Sequence, residues 1–164
     1  MNIVINCFGK EDISYITKSP DFQSFMKKCV ESKQDGVIDF IKKKYFDPEF
    51  VSNHTIRKLD DLKDNLVEVH TGDNIWSKKD QESVFYTMFD KMGPVVENYI
   101  RSCLKNKTVS KAYVDKYMRD FGFPLDWCMT SNDYTDPCDS GDDEDSKQRL
   151  KICEAALECI RSHP

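Results

Sequence analysis

The stretch from Val84 to Leu104, VFYTMFDKMGPVVENYIRSCL, constrains the fold most strongly. Val84, Phe85, Met88, Phe89, Met92, Val95, Val96, Tyr99, Ile100 and Cys103 recur at spacings of three and four, which on a helix makes one wide apolar face. Such a face must be buried against other elements, so this is the expected central helix of a bundle. Ser77-Lys78-Lys79-Asp80 ahead of it has the serine-to-acid spacing of a capping box. Gly93-Pro94 is expected to bend or divide the helix, because proline lacks an amide donor and clashes one turn back.

Shorter patterns surround this element. Ser19-Pro20-Asp21 reads as a helix start, with Ser19 as cap, followed by the apolar face of Phe22, Phe25, Met26 and Cys29. Gly36 ends that run, and Val37, Ile38, Phe40, Ile41 and Tyr45 predict a second helix reaching Asp47-Pro48. Ile56, Leu59, Leu62, Leu66 and Val69 predict an amphipathic helix from about Asn53, terminated near Gly72. Ala112, Tyr113, Tyr117 and Phe121 predict another. Leu150, Cys153, Ala156, Leu157 and Ile160 predict a last one from about Ser146. Residues 2–8, NIVINCF, read either as a short N-terminal strand or as a segment laid on the core. The expectation is an all-α fold, a single compact bundle of about six helices. Residues 1–130 form its main helical domain, 131–145 an acidic connector, and 146–164 a C-terminal helix packed on the same domain.

Charge is unevenly distributed. Of 29 acidic residues seven fall in residues 131–145, leaving 22 against 24 bases elsewhere, so the body is nearly neutral. That stretch fails as an EF-hand calcium loop: with Gly141 at position 6, Cys138 falls at position 3 and Lys147 at position 12. It reads as a solvated connector into the last helix. Thr130 and Ser140 each precede an acid by three residues, which makes them candidate sites for an acid-directed kinase. Lys42, Lys43 and Lys44 read as ordinary surface lysines, too short a run to argue for nucleic acid.

No stretch is long and apolar enough to span a bilayer, and the N-terminus lacks the basic region of a signal peptide. An odd count of seven cysteines then favours free thiols and a cytoplasmic location. The alternative is a secreted, disulfide-stabilised helical binder, in which Cys128, Cys138, Cys153 and Cys159 bridge. The triplets at Asn53 and Asn106 would then be glycosylation acceptors. The cysteines and the scattered His54, His70 and His163 lack zinc spacing, and no nucleophile elbow, phosphate loop or dinucleotide fingerprint is present. His70 near Asp73 is weighed as a base–acid pair against a surface or capping histidine, and the second reading is preferred. No enzyme activity, metal or cofactor is expected; a small enzyme with a site assembled only by tertiary folding is the remaining alternative.

What survives is a helical protein-interaction module, because the aromatic surplus supplies contact area at modest ordering cost. Two surfaces are candidates. One is a groove flanking the Ser77–Cys103 helix, with Phe85, Met88, Phe89 and Met92, suited to an amphipathic partner helix. The other holds Trp127 and Tyr134 beside the acidic stretch, suited to a basic partner surface.

Residues 79–88, KDQESVFYTM, with the preceding Gly72-Asp73, resemble the start of the central helix in the small Bcl-2-like immunomodulators of poxviruses. The resemblance covers some thirty residues. It implies an intracellular helical bundle that engages host signalling or apoptotic proteins through a face beside residues 77–103. The acidic insertion, the polar C-terminal region and Gly93-Pro94 depart from that pattern.

Overall fold

A computed structural model describes residues 4–32, 34–58, 65–117 and 144–162. Six helices are described: α1 (Ser14–Thr17), α2 (Phe22–Glu31), α3 (Gln34–Tyr45), α4 (Gln81–Lys105), α5 (Lys111–Tyr117) and α6 (Glu144–Ser162). Between α3 and α4 lies an antiparallel sheet of three strands, β1 (Ile56–Lys58), β2 (Leu66–Gly72) and β3 (Ile75–Asp80), in the order β1-β2-β3. The fold is therefore compact and mostly helical, with a small sheet, rather than all-α.

The sheet replaces the helix expected from Asn53 to Val69. Helical spacing linked Leu66 to Val69 but passed over Val67, which a helix would turn away from Val69. In the strand, Val67 and Val69 alternate with Glu68, and both are buried on the face shared with Ile56. The hairpin is closed by Asp73 and Asn74, which adopt φ of 49° and 58°. Positive φ at both central residues is the signature of the type I′ turn, whose twist matches the flanking strands. Leu59 and Leu62 lie outside the described residues.

Helix α4 runs unbroken from Gln81 to Lys105 with Pro94 inside it, so of the expected bend or division the division does not occur. Pro94 is exposed and so is Asp90, four residues earlier, which leaves the carbonyl deprived of its donor on the water side. Met92 and Val96 on the opposite face are buried and hold the two halves in one core. Its cap is also one turn later than expected. Ser77 belongs to β3, and the Asp80 carboxylate accepts the Ser83 N–H at 2.8 Å and the Ser83 hydroxyl at 2.7 Å. At α2 the capping position is Asp21, not Ser19.

Helices α2 and α3 pack against each other, α3 packs on α6, and α6 reaches β1. Gly36 does not end α2 but sits in the first turn of α3. A Cβ there would fall 1.7 Å from the Cys29 carbonyl oxygen, so only glycine permits this approach. Ile152, Ala156, Cys159 and Ile160 of α6 are buried, one face at helical spacing. That helix begins at Glu144, two residues ahead of its expected start. Most of the acidic connector lies outside the described residues.

Residues 4–13 lie against β2, the Val51–Asn53 turn and α3 as an N-terminal arm without a ladder of their own. The Asn6 N–H donates to the Ser52 carbonyl at 2.7 Å and the Phe8 N–H to the His70 carbonyl at 2.8 Å. Within this segment Phe8 packs against the core, while Val4 is 80% exposed.

Candidate functional site

An open groove of about 570 Å³ runs between α2, the C-terminal half of α4 and α5. Gln23, Ser24, Lys27 and Glu31 form its α2 wall, the polar stripe opposite the buried Met26, Cys29 and Val30. Tyr99 and Cys103 form the floor and Tyr113 closes one end. The α4 helix ends at Asn106, Lys107 takes a φ of 57°, and Thr108 folds back so that its hydroxyl donates to the Cys103 carbonyl at 3.0 Å. The Ser110 hydroxyl then accepts the Tyr113 N–H at 3.1 Å and starts α5, which fixes the angle of the end wall.

Tyr99 meets the edge of Phe22 at a centroid distance of 6.2 Å and 86°. Burial, reinforced by a hydrogen bond with Cys103, holds its phenol well above the ordinary tyrosine range. Burial also raises Tyr113, with the Glu31 carboxylate adding to the effect. Both rings are therefore neutral at physiological pH and act as apolar walls with a hydroxyl tip. The charged groups of the groove are Lys27 and Glu31, 3.9 Å apart on an exposed helical turn. Such a surface can hold aliphatic and aromatic side chains and hydrogen-bond a polar neighbour. Among the described residues, its lining contains no histidine.

Phe85, Met88, Phe89 and Met92, expected beside a groove, are buried in the core, and none lines this one. Their wide apolar face is consumed by packing against β2, β3 and α2. Trp127, Tyr134, Thr130, Ser140, Cys128 and Cys138 lie outside the described residues. The groove residues carried little signal: Tyr113 stood in a helical pattern, and the α2 stripe was only the polar remainder of an amphipathic helix.

Other readings are corrected by burial. Lys44 is not a surface lysine: its side chain is 3% exposed, it ion-pairs with Glu11 at 3.3 Å, and its ammonium donates to the Tyr45 hydroxyl at 2.7 Å. Desolvation lowers its pKa, opposed by the Glu11 carboxylate. His70 is neither surface nor paired with Asp73. It is buried, Nδ1 lies 2.7 Å from the Asn6 carbonyl, the ring meets Trp76 edge-on, and Nε2 has no partner. Asn53 is 1% exposed and bonded to Asn6 and to the Asp12 carbonyl, so it is inaccessible to glycosylation in the folded chain. Cys7, Cys29 and Cys103 carry free thiols.

Among the described residues, fold and groove together define a mostly helical domain with a small sheet and a lateral, tyrosine-floored groove. No family model, curated protein or solved structure matches the chain. Among the described residues no group of three or more potential metal ligands converges, and no helix is long and apolar enough to cross a membrane.

Proposed function

We propose that the chain is a non-catalytic protein-interaction module whose docking site is the groove between α2, α4 and α5. The supporting observation is the groove's make-up: a floor and end wall of neutral tyrosines between a polar α2 rim and a fixed turn. Aromatic anchors surrounded by polar rims are the usual form of an interface centre. The partner is an amphipathic helical segment that lays a few large apolar side chains over Tyr99 and Tyr113 while its flanks meet Lys27 and Glu31. By the resemblance to the poxviral Bcl-2-like proteins, the role served is modulation of host signalling or apoptosis, in the cytoplasm.

The test is selection of helical peptides on the folded chain, followed by amide chemical-shift mapping of the tightest ligand. Shifts centred on Gln23–Glu31 and Tyr99–Tyr113 are expected. Shifts centred on the sheet, or a selected ligand that moves no groove amide, contradict the assignment.

A further inference from the structure

The N-terminal arm does more than cover a surface: it fills a site that has both strand-like and carboxylate-specific contacts. The Asn6 and Phe8 amides donate to the Ser52 and His70 carbonyls, one in the turn before β1 and one in β2. The Asn6 carbonyl meets His70 Nδ1 at 2.7 Å, and its side-chain amide donates to Asn53 Oδ1 at 2.8 Å. A turn then follows, with Gly9 at φ +80° and the Lys10 N–H donating to the Cys7 carbonyl at 2.9 Å. It carries the Glu11 carboxylate into a buried cradle. There Glu11 Oε1 accepts from the Thr55 hydroxyl at 2.7 Å and the Gly9 N–H at 2.8 Å, and Oε2 faces Lys44 Nζ at 3.3 Å.

Every group that the body contributes here belongs to an independent element: Ser52 and Asn53 to the turn before β1, Thr55 to its approach, His70 to β2 and Lys44 to α3. Lys44 and His70 are carried by α3 and β2, whereas Ser52, Asn53 and Thr55 sit in the irregular approach to β1. The arm contributes no helix or strand, Val4 at its start is 80% exposed, and its hold combines discrete polar contacts with the packing of Phe8 on Tyr45 at a centroid distance of 6.2 Å. With the arm removed, Lys44 is left without its counter-charge beside Tyr45, so a replacement segment must bring a carboxylate of its own.

We propose that this is a binding slot for an extended, glutamate-bearing segment of a partner protein, occupied in cis by residues Asn6–Glu11 acting as an autoinhibitory strap. Backbone pairing to Ser52 and His70 supplies register, and the Lys44–Thr55 cradle selects the acid. The slot is separate from the α2–α4–α5 groove and stands whether or not that groove binds a helix.

The test uses the 164-residue chain and a labelled synthetic peptide with the sequence of residues 4–14, under reducing conditions. In the wild type, native-state hydrogen exchange is expected to show the Asn6 and Phe8 amides opening at least about tenfold faster than those of Val67 and Val69, through release of the strap alone. The E11Q chain, with its strap loosened, is expected to bind the peptide. A version of the peptide with glutamine at the position of Glu11 is expected to bind at least about tenfold more weakly. Exchange of Asn6 and Phe8 at the rate of Val67 and Val69 overturns the proposal. So does equal binding of the two peptides, or binding of neither. Where E11Q fails to fold, the same two peptides are titrated against an Asn6→Ala chain, which loses the bond to Asn53 without stranding Lys44, and the same outcomes decide.

Discussion

The Glu11 carboxylate and the Lys44 ammonium stand 3.3 Å apart with side-chain exposures of 0% and 3%, joining the N-terminal arm to α3 inside the fold. Removing one member of a buried pair strands the other, which costs more than the pair itself contributes. Glu11→Gln is expected to lower unfolding free energy by about 3 kcal/mol in urea titrations. Adding Lys44→Met in the same chain should recover at least about half of that loss, because the stranded charge is gone. A double variant no more stable than Glu11→Gln contradicts the assignment.

The Asp73–Asn74 turn gives a sharper handle on the sheet. Both residues hold left-handed backbone, which side chains branched at Cβ resist. Asn74→Val is expected to cost about 1–2 kcal/mol by thermal or chemical denaturation, and Asn74→Gly to be neutral or stabilising. Equal stability of the two variants contradicts a type I′ hairpin here.

That turn also shows where sequence and structure part. The buried face of α4 was readable residue by residue, from Val84 to Cys103, because twenty-five helical residues repeat one period often enough to be unmistakable. The strands are three to seven residues long, and Leu66 and Val69 satisfy a helical spacing by chance. The better signal was local: Val67-Glu68-Val69 alternates, and Gly72-Asp73-Asn74 offers two residues tolerant of positive φ. The groove was harder to foresee. It depends on how α5 leaves α4 through Lys107 and Thr108 and on which α2 stripe faces it, and neither has a period in the sequence. The run Lys42-Lys43-Lys44 gives no local sign that Lys44 is buried, because Lys42 and Lys43 are more open and the acid that retains it, Glu11, lies 33 positions away.

Gly36 sets the approach of α2 and α3. Since its Cβ would meet the Cys29 backbone oxygen at 1.7 Å, no rotamer change relieves the clash. Gly36→Ala, a substitution that ordinarily favours a helix, is expected to destabilise the chain by about 3 kcal/mol or more in chemical denaturation. A neutral or stabilising result is incompatible with this helix packing.

Cys29 is one of several buried groups that set the alkaline limit, with Cys159, Tyr15, Tyr45 and Tyr99 raised in the same direction. Burial pushes the Cys29 thiol up from an ordinary 9.0 to about 12. Between those values the folded chain keeps a proton that the unfolded chain releases, so stability falls as pH rises. The contribution is fully present below pH 9 and lost on passing about 12. Tyr15, raised by burial to about 12, acts in the same direction from its ordinary 10.0. Cys29→Ala is expected to flatten the decline of unfolding free energy between pH 9 and 10, where Tyr15 still contributes little. An unchanged slope in that interval contradicts the burial of this thiol.

The most direct test of the docking groove is the affinity of the selected helical peptide for the wild type and for a Lys27→Glu/Tyr113→Ala variant, measured by calorimetric titration. Lys27 is exposed and pairs with Glu31, and Tyr113 packs on the edge of the core from a short helix, so affinity is compared at a temperature where both chains are folded. The predicted result is a loss of affinity of about tenfold or more, corresponding to the removal of one anchor and the reversal of one rim charge. Equal affinity for the two chains, both folded, contradicts the groove as the site of partner binding.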